Sequence, residues 1–225
     1  MLKTKVSHFF GSQERWNIQL TRLDLDTEDL DEKEALENGW LIWNNRWYNC
    51  RSVRLRLDDY IPVKTLSSIT AGFTTDLDVV AKIYREFLDY KGYTEEFDLF
   101  LEQHRAEWLL LKDSGVPVAF TKFKKYDGGI ESEFTSWNYH NPKLSIGKVI
   151  VNFEVEYAKK LGYEHLYIGQ GYEKGSVYKN KFAGFEWWDG NEWTTDQERF
   201  KFLCERDSTI NTLDQIDELF NGEVR

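Results

Sequence analysis

The sequence contains little cysteine or proline and no long apolar run. Its 225 residues include two cysteines and three prolines. Two cysteines cannot build the disulfide framework of a small secreted domain, and no stretch approaches the ~20 apolar residues that span a bilayer. The first ten residues, Met1 to Phe10, contain lysines but no apolar segment typical of a signal peptide. We therefore expect a cytoplasmic protein with reduced thiols and no membrane partner.

Aromatic side chains are abundant, with nine tryptophans, 12 tyrosines and 15 phenylalanines. Rings in this number need a large core or a groove that they can line. The net charge of −10 is unusual for a protein that binds nucleic acid. The acidic residues concentrate in 1–38 and 186–225, however, so a basic, phosphate-binding face remains possible in the middle of the chain.

The first part of the chain predicts a small lobe. Residues 24–37 predict an acidic surface helix that ends at the turn pair Asn38-Gly39. Residues 40–43 and 47–57 predict two strands around a turn at 44–45. One face of the second strand is apolar and the other carries arginines, as expected for a strand that covers a core.

The middle of the chain predicts two helices followed by an antiparallel meander. Residues 75–91 carry apolar side chains at helical spacing after an acidic cap, and a second helix is predicted at 93–104. Three strand-like runs follow at 107–112, 117–126 and 130–139. Glycine-containing turns join these three runs, which is typical of hairpins.

The order of elements then changes to a strand–helix–strand pattern. Ser145 is a candidate N-cap for a long amphipathic helix that Gly162 ends. The remaining predicted elements are a strand at 165–169, a short helix at 174–182, a strand at 185–188 and an acidic tail that is helical near its end. A meander that continues into such a unit predicts an α/β fold with a mixed sheet. Its ligand site is expected at the strand ends, beside the start of the crossover helix.

Several short motifs, in this order, resemble those of the arginyl-tRNA–protein transferase family. They are Gly39-Trp40, Tyr48-Asn49-Cys50, Val53-Arg54-Leu55-Arg56, Ser145-Ile146-Gly147, Ala158-Lys159-Lys160-Leu161-Gly162, Tyr167-Ile168-Gly169 and Tyr178-Lys179 with Phe182. Each motif is short, but together they span residues 39 to 188. The resemblance implies a GNAT-like acyltransferase fold with a small N-terminal lobe at 1–70, an acyltransferase domain at 71–195 and an acidic tail at 196–225.

The resemblance also implies an activity. Such an enzyme moves an amino acid, with arginine favoured, from charged tRNA to the amine of a protein N-terminus or of a small molecule. The charged tRNA is then a co-substrate, and no cofactor is expected. The family often carries several cysteines that hold a metal, whereas here Cys50 alone stands in that segment, so no metal is expected. The arginine-histidine pair usual in the family's middle helix is absent, and Tyr90-Lys91-Gly92-Tyr93 stands nearby.

This reaction is the attack of an amine on an activated ester, so positioning matters more than a strong nucleophile. Positioning alone can lower the barrier by about 7–11 kcal/mol, and backbone N–H groups at a helix start can stabilise the oxyanion. We expect Asn141, Ser145 and Gly147 to bind substrate at such a start, although an ordinary capped helix fits equally well. The segment lacks the glycine-rich loop that would cradle the pyrophosphate of acetyl-CoA. An acetyl-CoA-dependent GNAT enzyme therefore remains an alternative, as does a non-catalytic relative that binds peptide or tRNA.

Three residues are candidates for catalysis. Gln170 could orient the α-amine or carbonyl of the donor, and Tyr172 could stack on the terminal adenine or donate a proton to the leaving oxygen. Glu131 could bind the α-amine or a basic side chain. The alternatives are a glycine-rich turn for Gln170 and Tyr172, and an exposed strand face for Glu131.

Further residues are candidates for binding. Tyr178, Lys179 and Trp137 are expected to contact substrate, and Lys179 could meet the tRNA. The candidates for contacts to tRNA phosphates are Arg54, Arg56, Lys122 and Lys124. Exposed charges on outer strand faces explain these basic residues equally well. The four histidines show no metal-ligand spacing.

Overall fold

The computed structural model describes residues 4–13, 16–25, 30–93, 99–100, 103–139, 141–172, 174–210 and 212–215. The chain divides into two compact units. Unit 1 comprises Met1–Val53 and Gln170–Arg225, and unit 2 comprises Arg54–Gly169. The domain boundaries expected at residues 70 and 195 stay predictions. No helix in the described part of the chain is long and apolar enough to span a bilayer.

The strands and helices are as follows. The strands are β1 (Thr4–Gln13), β2 (Trp16–Leu25), β3 (Leu41–Trp43), β4 (Arg46–Asn49), β5 (Ser52–Arg56), β6 (Ile69–Thr74), β7 (Ala106–Asp113), β8 (Val116–Tyr126), β9 (Gly129–Trp137), β10 (His165–Gln170), β11 (Phe185–Trp188) and β12 (Trp193–Thr194). The α-helices are α1 (Glu32–Glu37), α2 (Leu77–Lys91), α3 (Ile146–Lys160) and α4 (Gln197–Asp207). Short 3-10 segments lie at Leu57–Asp59, Gln103–Arg105, Pro142–Leu144 and Lys174–Lys181.

Unit 2 is built on a mixed sheet with the strand order β10-β9-β8-β7-β6. The four strands from β6 to β9 pair antiparallel. Helix α3 connects β9 to β10, and these two strands are parallel, with Tyr167 opposite Glu131. The prediction of an α/β fold in which a meander continues into a crossover unit is confirmed.

The two long helices of unit 2 cover opposite faces of this sheet. Phe120 packs in a core cluster with the α2 residues Val80, Ile83 and Tyr84. The next residue of β8, Thr121, instead donates a hydrogen bond to Glu154 of α3. Successive side chains of a strand point to opposite faces, so α2 lies on one face of β8 and α3 on the other.

Unit 1 contains a second sheet with the strand order β1-β2-β4-β3 and the antiparallel hairpin of β11 and β12. Its core near α4 is aromatic. The ring of Phe200 lies 5.0 Å from that of Phe185 and 5.6 Å from that of Trp187. The indole N–H of Trp187 donates to the Asp196 backbone oxygen at 3.0 Å, which satisfies the polar atom of a buried ring.

Several local predictions were wrong in extent. The acidic helix begins at Glu32, and Asp24 lies in β2. The strand predicted at 47–57 is two strands, β4 and β5, because Arg51 between them adopts the left-handed conformation with φ 45°. The hairpin of β1 and β2 was not predicted.

Two further differences concern helix ends. Ser145 precedes α3 as expected, but it is left-handed, with φ 50°, and its side chain makes no capping hydrogen bond. The short helix predicted at 174–182 is a 3-10 segment. Most of the helix predicted at 93–104 lies outside the described residues, as does the end of the tail, and 103–105 form a 3-10 turn.

We predict that Gly39→Ala destabilises the protein more than Gly162→Ala. Both glycines have positive φ, 74° and 83°, so alanine at either position costs about 1 kcal/mol or more in backbone strain. A Cβ at Gly39 would also lie 2.4 Å from Cγ of Trp188, whereas at Gly162 it would meet nothing within 4 Å. Overpacking adds about 1–3 kcal/mol. Urea unfolding measures the decrease in the free energy of unfolding for each variant. Equal decreases would contradict the packing of Trp188 against Gly39.

Candidate functional site

Gln170, the last residue of β10, is held by two contacts within unit 1. Its side-chain Nε2 donates a hydrogen bond to the hydroxyl of Tyr48. The ammonium of Lys179 donates to the Gln170 backbone oxygen at 2.6 Å. The structure therefore brings together two residues that the sequence predicted separately, Gln170 from the strand end and Lys179 from the motif that follows.

The remaining polar atom of the Gln170 side chain is its Oε1. Among the described residues this oxygen accepts no hydrogen bond, and the side chain is only partly buried. Because Tyr48 fixes the amide nitrogen, the oxygen keeps one direction. A fixed amide oxygen is an acceptor suited to an amine or ammonium group.

Tyr48 is a site residue that the sequence analysis missed. It is 3% exposed, and the guanidinium of Arg22 lies 5.5 Å from its ring centroid. Arg22 in turn pairs with Asp24 at 2.9 Å. A buried tyrosine hydroxyl needs a hydrogen-bond partner. The motif Tyr48-Asn49-Cys50 was the signal in the sequence that could have drawn attention to Tyr48.

Gly171 follows Gln170 and makes close contacts. Its N–H donates to the Arg51 backbone oxygen at 3.0 Å, and its own backbone oxygen accepts from the Cys204 thiol at 3.0 Å. A Cβ at this position would lie 2.2 Å from the Phe200 ring. Only glycine therefore fits at this position.

A buried ion pair lies beside the two cysteines. Arg51 binds the carboxylate of Asp207. Burial by itself lowers the pKa of Arg51, but the interactions with Asp207, Cys50 and Cys204 together outweigh burial and raise this pKa. Burial raises the pKa of Cys50 to about 12, although Arg51 partly opposes this shift. Cys50 is therefore a neutral thiol at physiological pH and not a nucleophile, because reactivity requires the thiolate.

In the described part of the chain, no group of three or more histidine, cysteine, aspartate or glutamate residues could hold a metal ion.

The predicted substrate-binding residues at the start of α3 lie in unit 2. A Cβ at Gly147 would meet the Trp137 ring at 2.8 Å, so the glycine allows this ring to lie directly on the first turn of α3. The Asn141 side chain accepts from the Lys143 N–H at 3.2 Å. The Ser145 backbone oxygen accepts from Val149 at 3.1 Å. The roles of these residues in binding substrate stay predictions.

Two of the expected phosphate contacts point into the protein. Lys122 and Lys124 are fully buried, and their ammonium groups lie 2.7 and 2.5 Å from the carboxylate of Glu133. Neither can meet a tRNA phosphate from this position. The register of β8 and β9 shifts between Lys122 and Phe123, and the extra residue on β9 is Glu133, the partner of both lysines.

Glu131 is also buried rather than part of an exposed strand face. Its carboxylate accepts a hydrogen bond from the Tyr126 hydroxyl at 2.6 Å, and it lies opposite Lys124 in the ladder. Two lysines and two carboxylates therefore occur together in the sheet of unit 2. Buried charges are stable only when they are paired in this way.

The other predicted residues are closer to solvent. Arg56 is exposed and pairs with Asp59 at 3.1 Å, and Arg54 is half-buried. Tyr178 is exposed and packs edge-on against Phe182, with centroids 6.0 Å apart. Tyr172 is half-buried. Of the predicted phosphate contacts, Arg56 is thus the one that remains fully on the surface.

No protein-family model matches this chain. The chain is 24% identical over 201 residues to the aspartate/glutamate leucyltransferase of Ruegeria sp. (strain TM1040), and the match covers 78% of this chain and 72% of the relative.

The solved structures to which this chain is similar share little sequence with it. L-PGS from Bacillus licheniformis is 18% identical, with a TM-score of 0.43, over 54% of this chain and 46% of that one. A GCN5-related N-acetyltransferase from Kribbella flavida is 16% identical, with a TM-score of 0.41, over 54% and 48%. The C-terminal domain (DUF2156) of a putative lysylphosphatidylglycerol synthetase from Agrobacterium fabrum is 13% identical, with a TM-score of 0.44, over 77% and 73%. This chain spans less than half of the first two.

We predict that Glu133→Gln destabilises the protein by about 3–5 kcal/mol, because it leaves two buried ammonium groups without their carboxylate. Glu107→Gln is the matched control. Glu107 pairs with Lys125 at 2.7 Å, but both side chains are more than a third exposed, so its loss should cost at most about 1 kcal/mol. Urea unfolding of both variants measures the difference. Equal, small losses would show that Lys122 and Lys124 face solvent.

Proposed function

We propose that this chain transfers an amino acid from charged tRNA to the amine of a protein N-terminus or of a small molecule. At the coarser level, the prediction of an acyltransferase is confirmed by the similarity to a leucyltransferase. The observation that carries the finer proposal is the fixed Gln170 side chain. Its amide nitrogen is bound by Tyr48, and its oxygen has no partner among the described residues.

In the proposed reaction, Gln170 orients the donor. Its Oε1 accepts a hydrogen bond from the α-amine of the esterified amino acid and so fixes the ester carbonyl beside it. The acceptor nitrogen then attacks the carbonyl carbon. The new C–N bond forms, the bond from carbon to the ribose oxygen breaks, and the acceptor's proton passes to that oxygen.

The other residues have supporting roles in this proposal. The Tyr172 hydroxyl donates a hydrogen bond to the leaving ribose oxygen. The ammonium of Lys179 holds the end of β10 by its hydrogen bond to the Gln170 backbone oxygen. The charged tRNA supplies the activated ester, so positioning provides most of the rate enhancement. No cysteine nucleophile is needed, in agreement with the raised pKa of Cys50.

Two donors are proposed on separate grounds. Arginine follows from the motifs at Ser145–Gly147, Ala158–Gly162 and Tyr178–Phe182, which resemble those of arginyl-tRNA–protein transferases. Leucine follows from the Ruegeria relative, whose name combines a leucyl group with aspartate and glutamate. Peptides that begin with aspartate or glutamate are accordingly the first acceptors to test.

Transfer from charged tRNA tests the function directly. The purified chain is incubated with each charged tRNA and a library of peptides and small amines, and products are identified by mass. We expect transfer of arginine or leucine onto a free amine, and no product when acetyl-CoA is the donor. Acetylated products would support the acetyltransferase alternative, and inactivity with every charged tRNA would contradict the proposal.

We predict that Gln170→Ala lowers kcat/KM by roughly 10- to 100-fold, because a misplaced donor reacts slowly. The matched control is Gln197→Ala, since Gln197 is exposed on α4 and is expected to leave the rate unchanged. Steady-state kinetics of both variants, with thermal unfolding as a check of folding, separates the two. If the Gln170→Ala variant keeps the kcat/KM of the parent chain, Gln170 does not orient the donor.

A further inference from the structure

Strand β6 lies at the end of the sheet of unit 2, and no strand in the described part of the chain pairs with its outer side. Four of its six residues, 70 to 73, are exposed. A Cβ at Gly72 would meet nothing within 4 Å. The outer edge of β6 is therefore open in the described structure, and an open edge can serve as a template for another strand.

Strand β6 lacks the features that usually protect such an edge. Its sequence, Ile-Thr-Ala-Gly-Phe-Thr, contains no charged residue and no proline, and its pairing with β7 shows no bulge. The other strands at sheet ends differ: β3 and β12 have three and two residues, and β1 carries the exposed Lys5. Short strands and lysines prevent pairing with another chain. Among these sheet ends, β6 is therefore the one suited to accept a further strand.

The pairing with β7 determines which backbone groups of β6 point outward. Directly before β6 begins, the Ser114 N–H donates to the Ser68 backbone oxygen at 2.9 Å. Hydrogen-bonded pairs alternate with non-hydrogen-bonded pairs along an antiparallel ladder. The backbone groups of Ile69, Ala71 and Phe73 therefore point away from β7, toward the outer side of the edge.

Exposed apolar side chains lie beside these backbone groups. Phe73 is 52% exposed and Leu66 is 51% exposed. Leu66 lies next to β6, because its backbone oxygen accepts a hydrogen bond from the Ile69 N–H at 3.0 Å. The Phe73 ring packs on Tyr157 of α3, with centroids 4.6 Å apart. Burial of Phe73 and Leu66 against a partner would add a hydrophobic contribution to the pairing of the backbones.

The charged groups around Tyr157 balance each other. The Tyr157 hydroxyl donates to the Glu107 carboxylate, and Glu107 pairs with Lys125 at 2.7 Å. Two copies of a chain with a net charge of −10 repel each other at most surfaces, but at β6 they meet without like charges in contact. An uncharged strand gives a charged peptide or a nucleic acid little to bind, whereas a second copy brings the same uncharged strand.

We propose that two copies of this chain associate through β6, with the two strands antiparallel about a two-fold axis at Ala71. In this register Ala71 lies opposite Ala71 of the second copy, and the two residues exchange hydrogen bonds. The outward N–H of Phe73 donates to the Ile69 backbone oxygen of the second copy. Because both partners use the same surface, the contact closes as a dimer. This inference does not depend on the proposed function.

The proposed contact is small, so we expect a weak dimer. A standard interface uses about 20–30 residues from each partner, whereas β6 has six residues. The dimer should therefore form as the concentration of the chain rises and dissociate on dilution. Sedimentation velocity of the full chain at several concentrations measures its Kd.

Opposite charges at Ala71 test the register. In Ala71→Lys and in Ala71→Glu, two like charges would lie directly opposite each other, so each variant should raise the dimer Kd roughly 5-fold or more. An equimolar mixture of the two variants should associate again, because lysine then lies opposite glutamate. Phe202→Lys, at a side chain 61% exposed on α4, is the matched control and should associate like the parent chain.

A parent chain that stays monomeric at every concentration would overturn the inference, as would a mixture that associates no better than either variant alone. Amide hydrogen exchange of the parent chain gives a second measurement that needs no variant. Exchange at Ala71 and Phe73 should slow as the concentration rises, and unchanged exchange at both residues would place the contact elsewhere and contradict the proposal. If a variant fails to fold in thermal unfolding, this exchange comparison decides.

Discussion

The site depends on the fixed position of Gln170. Glutamine has a flexible side chain, and an amide that turns freely cannot orient a substrate without a large loss of conformational entropy. Here Tyr48 holds the amide nitrogen, while Lys179 holds the backbone at the same residue. Gly171 lets the chain continue close beside Phe200. The amide oxygen is thereby left in place as an acceptor, and a reaction that needs positioning rather than a nucleophile requires little more from the protein.

In the described part of the chain, several buried charged groups are paired with a group of opposite charge. Arg51 pairs with Asp207 in unit 1, and Lys122 and Lys124 share Glu133 in unit 2. These pairs withdraw basic side chains from the surface of a chain that is already acidic.

The sequence predicted the elements whose signals are local. The apolar stripe of α3 and the glycine turns of the meander were sufficient to predict the crossover unit. The end of the following strand drew attention to Gln170, and a motif drew attention to Lys179. The remaining features depend on contacts between distant residues. The burial of Lys122 and Lys124 depends on their shared partner Glu133, which lies in a different strand, β9. The partnership of Tyr48 with Gln170 joins residues 122 positions apart, and no spacing rule predicts such a contact.

The most direct test is a crystal structure with a stable analogue of the donor, an adenosine whose 3′ oxygen is replaced by nitrogen and which therefore carries arginine or leucine in an amide linkage. The account predicts that the α-amine of the analogue lies within hydrogen-bond distance, about 2.7–3.2 Å, of Gln170 Oε1, while Tyr48 still holds the amide nitrogen. An analogue bound away from Gln170, or a Gln170 side chain whose oxygen has turned to Tyr48, would contradict it.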